Sequence, residues 1–420
     1  MDTTFHPTLR YASAYLEAKK PQLVGIYFDT LMSRDAKVIA RIAKGMGMIV
    51  VAGGPHASVY PESVIGDVDI SVIGEGEEAM DELVEALPSG DLAPIRGIWY
   101  KKRDGGIRKN IPRDPLADLD TLDFPALDLV EMDQYMKHWY YLDSSEFGSR
   151  GIDVMASRGC DFGCTFCQPT LDRLFGPKVK YKSPAYLAGE IEYYMHRYQA
   201  NNFFFRDDTF LRNREWSANF FDTLERKNIN IRWGCNSRID LIDEWLMRRM
   251  HRAGGRCIHL GIESGSQRVL DGIYKKGIKV DQAERAIAIA KNAGIRVLGF
   301  FMLGAPGETA QEINQTIKLA VFSRLDEATF AITTPLPATR LYETIKSDKH
   351  YLVSNDTGSF DYYNKLSYSG GGFTPGRIAY LQKKALFLFY LHPHRWQYLG
   401  RHFCSLKGLL RLYHKIRRFF

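Results

Sequence analysis

Residues 1–150 contain no cysteine, and the whole 420-residue chain contains only six. So few thiols exclude a disulfide framework and point to a reducing compartment. Long apolar runs are missing as well. The best candidate, 385–391, falls far short of the roughly 20 residues that span a bilayer. The opening stretch Met1-Asp2-Thr3-Thr4-Phe5-His6-Pro7 lacks the basic-then-apolar pattern of a secretory leader, so the expectation is a cytoplasmic protein. Acidic residues are absent from 371–420, which holds ten Lys or Arg. The net charge of +7 therefore resides at that end; the remainder, with 46 Lys and Arg against 49 Asp and Glu, carries −3. A basic aromatic tail has three fates open to it: a helix packed on the protein, peripheral contact with an anionic membrane, or contact with nucleic acid. The packed helix is favoured, and no nucleic-acid partner is expected.

What is present is ordinary globular material, 45% hydrophobic and 25% charged, long enough for two or three domains. Residues 1–90 alternate short apolar strands (Leu23-Val24-Gly25-Ile26-Tyr27-Phe28, Met48-Ile49-Val50-Val51-Ala52, Ile70-Ser71-Val72-Ile73) with helical periodicity, as in 36–47. That alternation predicts a parallel sheet covered on both faces. Residues 91–150 break the rhythm: Ile98-Trp99-Tyr100 and Gly105-Gly106 suggest a hairpin, and the prolines of 114–126 suggest a connector. From 151 to 340 the alternation returns. Strands are expected at 152–156, 202–206, 231–235, 257–261, 296–302 and 327–332, with helices at 184–198, 213–227, 243–253, 280–293 and 310–323. Six such units predict a partial or complete parallel barrel, whose chemistry gathers at the C-terminal ends of the strands. The fold class is α/β, and residues 341–420 form a basic, aromatic extension.

Three cysteines cluster in Ser157-Arg158-Gly159-Cys160-Asp161-Phe162-Gly163-Cys164-Thr165-Phe166-Cys167, just after the first barrel strand. A structural zinc site closes with four ligands, and a complete 4Fe–4S cluster takes four cysteines. Three thiolates from one loop leave an iron open for a cosubstrate. A zinc site with a distant fourth ligand, such as Cys235 or a histidine, stays open as the alternative. Cys235, Cys257 and Cys404 are scattered and read as buried small hydrophobes.

The C-x3-C-x-Phe-C run after a barrel strand resembles the radical S-adenosylmethionine (radical SAM) superfamily. The resemblance implies that Cys160, Cys164 and Cys167 hold a 4Fe–4S cluster. Its open iron would grip S-adenosylmethionine, which one electron cleaves to methionine and a hydrogen-abstracting 5′-deoxyadenosyl radical. Phe166 would pack beside the adenine. Asp207 and Asp208, past the second strand, would face the amino group of S-adenosylmethionine; capping of the next helix is the alternative for either. Arg238 would pair with the methionyl carboxylate, or else form a surface ion pair. Glu263 and Ser264, in Gly261-Ile262-Glu263-Ser264-Gly265-Ser266, would contact ribose and methionine, or simply form a turn. Leu303 and Gly304, in Gly299-Phe300-Phe301-Met302-Leu303-Gly304-Ala305-Pro306-Gly307-Glu308-Thr309, would support the adenine. Pro335-Leu336-Pro337-Ala338-Thr339 matches the same subgroup. No catalytic acid or base is singled out.

Gly53-Gly54-Pro55-His56-Ala57-Ser58 and Gly74-Glu75-Gly76-Glu77 resemble the cobalamin-binding domain fused to many of these enzymes, radical methyltransferases and the anaerobic oxidative cyclase of chlorophyll synthesis among them. The chain departs from that pattern. It has no D-x-H-x-x-G loop, the source of the lower axial histidine, and Tyr27 stands where the family has a small hydroxyl residue. The expectation is an N-terminally incomplete doubly wound domain, with cobalamin as a conditional cofactor and His56 a poor substitute ligand.

The resemblance implies a radical SAM enzyme acting on an unactivated C–H bond. Carbon methylation follows if cobalamin binds; oxidation, cyclisation or rearrangement follows if it does not. Implied partners are a reductant such as flavodoxin or ferredoxin and a bulky or apolar small-molecule substrate. The extension at 387–420 would cover the barrel mouth or meet a membrane. A zinc-stabilised nucleic-acid module and a cluster-bearing electron carrier are the competing classes. A tRNA methylthiotransferase is disfavoured, because that group carries a second cysteine set in an N-terminal domain and 1–150 has none.

Overall fold

The computed structural model describes residues 5–6, 8–142, 150–354, 356, 360–363, 366–370 and 373–396. The chain divides into two compact units: Met1–Ala117 with Asp161–Val179 and Pro335–Asp361, and Asp118–Cys160 with Lys180–Thr334 and the described part of Tyr362–Phe420.

In the first unit, α1 (Leu9–Lys19), β1 (Leu23–Tyr27), α2 (Ser33–Gly45), β2 (Ile49–Gly53), α3 (Pro55–Val59), β3 (Ile70–Val72) and α4 (Glu77–Ala86) alternate. They lead into a hairpin of β4 (Ile98–Lys101) and β5 (Ile107–Lys109). The sheet order is β1-β2-β3-β4-β5, parallel through β3 and antiparallel beyond. Val50, Val51 and Ala52 are all buried because helices cover both faces: Val50 and Ala52 meet Ile39, Ala40 and Ala43, while Val51 meets Ala79 and Leu83. The same unit takes in α6 (Thr170–Phe175) and α12 (Arg340–Ser347).

The second unit opens with α5 (Met132–Leu142) and contains a six-stranded parallel sheet. Its strands are β6 (Gly151–Val154), β9 (Asn202–Phe205), β10 (Arg232–Arg238), β11 (Gly255–Glu263), β12 (Arg296–Leu303) and β13 (Glu327–Ile332), paired in that order. Between them run α7 (Pro184–Tyr198), α8 (Arg214–Arg226), α9 (Glu244–Arg252), α10 (Asp281–Asn292) and α11 (Ala310–Phe322). The expected strand–helix units are therefore all present. Helix starts are set by polar caps: Ser183 ahead of Pro184, Asn213, Asp243, and Thr309 in a capping box with Glu312.

The helix-facing side of the sheet is aromatic. Phe205, Phe210, Phe220 and Trp233 pack within 6.3 Å of one another, centroid to centroid. Each such burial is worth about 1.5–3 kcal/mol, which fixes the sheet that carries the site. A short ladder of β7 (Ser157–Arg158) and β8 (Lys180–Tyr181) follows β6. Past β13, α13 (Pro375–Leu391) packs against that strand, where Gln382 donates to the Phe330 carbonyl at 2.6 Å. Arg395, 1% exposed, donates to the carbonyls of Ala320, Val321 and Ser323 at the end of α11. The described part of the extension thus uses its cations to cap a helix C-terminus. The expectation for 387–420 extends past residue 396, outside the described residues. No described helix is long and apolar enough to cross a membrane.

Candidate functional site

The cysteine run begins where β7 ends. Gly159 takes φ +91°, a left-handed turn that admits glycine without strain. Cys160 Sγ lies 3.8 Å from Thr209 Oγ1. Cys164 is buried, Phe166 half-buried and Cys167 exposed. Within the first unit, the start of α12 clamps the loop. Arg340 N–H donates to the Gln168 carbonyl at 2.8 Å, Leu341 N–H to Thr165 at 2.9 Å, and the Arg340 guanidinium to Gly163 at 3.4 Å. Among the described residues no three His, Cys, Asp or Glu side chains converge tightly enough to hold a metal ion. The donors nonetheless suit a cluster: three thiols within eight residues, with Cys235 and Cys257 buried in β10 and β11.

Asp207 is fully buried past β9. Its carboxylate accepts the Ala156 N–H at 3.1 Å and the Ser157 hydroxyl, tying the segment that leads into the cysteines. Burial pushes its pKa up to about 6, against the pull of those donors. Asp208 is exposed to solvent, yet desolvation by the surrounding protein raises it to about 6 as well.

Arg238 ends β10 buried, its guanidinium forked onto Asp240 at 2.9 and 3.0 Å and onto the Lys276 carbonyl at 2.7 Å. Glu263 ends β11 at φ +64°, beside a register shift against β12. Left-handed backbone costs a non-glycine residue about 1–2 kcal/mol. Its carboxylate meets Lys276 Nζ at 2.7 Å, with side chains 9% and 6% exposed respectively. Gly261 makes room for the pair: a Cβ there would lie 2.7 Å from Glu263 Oε1 and 2.9 Å from Lys276 Nζ. Ser264 is buried in a turn, 3.2 Å from Thr316 Oγ1 on α11. A Cβ on Gly265 would strike the Gln315 backbone at 2.7 Å.

Leu303 is buried, and Gly304 opens the turn after β12. Glu308 closes that turn, accepting the N–H groups of Gly304 and Ala305 at 2.7 and 2.9 Å. Burial lifts Glu308 to about 7, and its Oε1 has no hydrogen-bond partner among the described residues. Arg268 holds neighbouring Glu312 down at about 2. Asp208, Arg238, Glu263 and the Gly304 turn thus follow the C-terminal ends of successive strands. Lys276, Asp240 and Thr316 were not legible. Lys276 lies in Tyr274-Lys275-Lys276-Gly277, which reads as a solvated basic turn, and Glu308 was signalled only by its Pro-Gly-Glu turn.

In the first unit, the loops after β1, β2 and β3 carry Tyr27, Gly53-Gly54 and Gly74-Glu75-Gly76. Tyr27 is 75% exposed. His56 is buried and committed through both ring nitrogens, 3.0 Å from Thr30 Oγ1 and 3.0 Å from Ser63 Oγ. Burial, then the Lys37 charge, lowers its pKa to about 4. The edge can therefore offer a corrinoid backbone and the Tyr27 ring, and His56 is already engaged.

A family model for the radical SAM superfamily matches residues 154–320, and one for the B12 binding domain matches residues 2–84. An uncharacterized methyltransferase of Pyrococcus horikoshii is 34% identical over 412 residues, covering 94% of this chain and 85% of that protein. The chain belongs to the radical SAM superfamily, in the subgroup with a B12-binding domain ahead of the barrel. It is an enzyme of that superfamily, and the family's cofactors are a 4Fe–4S cluster, S-adenosylmethionine and cobalamin. The anaerobic magnesium-protoporphyrin IX monomethyl ester cyclase of Rubrivivax gelatinosus is 28% identical over 337 residues, covering 78% of this chain; the chain spans 59% of that protein. The radical S-adenosylmethionine methyltransferase TsrM of Kitasatospora setae, solved with cobalamin and a [4Fe-4S] cluster, shares the fold: TM-score 0.68, 17% identity, 84% of this chain and 70% of that one. Radical SAM chemistry calls for a reductant and a small-molecule substrate.

Proposed function

We propose that this chain is a cobalamin-dependent radical methyltransferase acting on an unactivated carbon of a bulky, apolar small molecule. One observation carries the reading: a three-cysteine loop at the head of a parallel half-barrel shares a chain with a B12-binding domain. Whole-length similarity to a methyltransferase supports it. When bound, the cluster supplies the electron that cleaves S-adenosylmethionine and cobalamin carries the methyl group. Cys160, Cys164 and Cys167 hold the cluster. Phe166, Leu303 and Gly304 flank the adenine, Asp208 takes the amino group, and Glu263, paired with Lys276, takes hydroxyls. Asp207 braces the cysteine run, Arg238 braces the Lys276 backbone, and Ser264 pins the turn to α11. The loops at Gly53-Gly54 and Gly74-Gly76 would cradle the corrinoid through backbone, and His56 is already engaged by Thr30 and Ser63. Residues 1–90 carry the corrinoid-binding loops, the hairpin within 91–150 extends their sheet, 151–340 carry the catalytic strands and the cysteine loop, and the basic extension past α12 is assigned to substrate or membrane contact.

Anaerobic turnover with dithionite tests this, with mass spectrometry for products. 5′-Deoxyadenosine and S-adenosylhomocysteine together are the expected result, with hydroxocobalamin retained through gel filtration. The similarity to the cyclase supports a second reading, cobalamin-independent oxidation or cyclisation. 5′-Deoxyadenosine alone, with no retained corrinoid, would put that reading first.

A further inference from the structure

We propose that a recess in the first unit, walled in part by Pro169 and Arg173 just past the cysteine run, is the docking surface for an acidic one-electron donor protein. The inference rests on the reading that these cysteines hold a cluster. The recess encloses about 620 Å³ and is lined by Tyr60, Arg173, Arg340, Tyr342 and Lys346, with Pro169 in its wall. Arg173, Arg340 and Lys346 are exposed cations; among the described residues Glu343 is the one acid lining the same space. Tyr60 is 40% exposed, and Lys346 Nζ stands 5.6 Å from the Tyr342 ring centroid. Cations around amphipathic rings are what an acidic protein surface recognises: charge steers the encounter, and the rings supply contact area at little entropic cost.

The location gives the surface its purpose. Pro169 is two residues past Cys167, a reach of at most about 7 Å along the chain, and Cys167 is itself exposed. Arg340 lines the recess and also bonds the loop at Gly163 and Gln168. Among the described residues the remaining cysteines, Cys235 and Cys257, are buried in β10 and β11 and do not line the recess. On this proposal the electron for each cleavage is delivered by a protein seated on the recess. The exchange is balanced: the donor's flavin hydroquinone loses one electron and becomes its semiquinone, the cluster gains that electron, and no atom crosses the interface.

The test uses the full chain with a flavodoxin as probe and leaves Arg340 intact, since it clamps the loop. Binding to the unreconstituted chain is followed by flavin fluorescence at low and high salt. Cluster bleaching in reconstituted protein is timed with flavodoxin hydroquinone and with dithionite. R173E/K346E should weaken flavodoxin binding at least tenfold, flatten its salt dependence and slow bleaching by flavodoxin equally, with dithionite bleaching unchanged. E343K should tighten binding several-fold. Wild-type flavodoxin binding in R173E/K346E, or equal slowing with both reductants, would overturn the proposal. Wild-type protein with no iron–sulfur absorbance to bleach would overturn the cluster reading itself and the docking role with it.

Discussion

Removing the ammonium of Lys276 gives the most decisive readout of the site. The Glu263–Lys276 pair is 2.7 Å long with both side chains less than a tenth exposed. At an effective dielectric near 20, the gross attraction is about 6 kcal/mol. Desolvation of both charges consumes much of that, so the net value of the pair is small. Breaking it is another matter, because one charge is stranded. Lys276→Met keeps the alkyl stem and leaves Glu263 unpaired; the expected loss is about 3–5 kcal/mol. Glu263→Gln removes the carboxylate from the ammonium with a comparable cost. The double variant removes both charges and should cost at least about 2 kcal/mol less than the two singles added together. Urea unfolding of the unreconstituted chain, followed by tryptophan emission, measures each value; Trp233 sits buried in the same unit. Calorimetric titration with S-adenosylmethionine gives the second readout, in which Glu263→Gln weakens binding at least tenfold. Strict additivity of the two stability losses, or a Lys276→Met cost below about 1 kcal/mol, would refute the view that this lysine holds the carboxylate.

Replacing Cys160, Cys164 or Cys167 singly with Ala should bring 5′-deoxyadenosine formation to background while the far-ultraviolet spectrum is retained; turnover at the wild-type rate in any of them would remove that residue from the cluster. Asp207→Asn should leave S-adenosylmethionine affinity within about twofold, since that carboxylate is spent on Ala156 and Ser157, whereas Asp208→Asn should weaken it at least tenfold; calorimetry decides between them. His56 has a depressed folded pKa, so its unfolded form binds protons more readily and stability falls as pH drops from 6.5 towards about 4. The total loss is about 3 kcal/mol. His56→Gln should flatten that stretch of the pH–stability curve yet retain bound hydroxocobalamin; loss of the corrinoid with an intact fold would make His56 a ligand after all.

Strands and helices were legible in this sequence because each is locally consistent. Val50, Val51 and Ala52 form a run buried on both sides, and Asn213, Asp243 and Thr309 stand where helices must start. The cysteine loop was legible because its spacing is itself the signal. What stayed hidden depends on contacts between distant positions. Gly261 looks like any strand-end glycine until Lys276 is brought beside it from the far side of a turn. Arg238 reads as an available cation, yet Asp240, two residues away, already holds it. Asp207 and Asp208 are adjacent and chemically identical in sequence; alternation along the backbone sends one into the protein and leaves the other exposed. The charge of the tail was legible, but its use at Arg395, capping the carbonyls that end α11, required the fold.

The clasp of Arg340 and Leu341 on the cysteine loop bears on how the protein is made. Gly163 and Arg340 are 177 residues apart. At 5–20 residues per second, a ribosome that has finished the cysteines needs roughly 10–35 s more before their fastener is synthesised. During that interval the loop holding the thiols lacks its α12 clasp and is open to oxidants and stray metals. The expected outcome is late iron–sulfur assembly: a nascent chain stalled before residues 339–341 should carry the full motif and still fail to retain iron, and stable iron in the stalled chain would show that the clasp is dispensable.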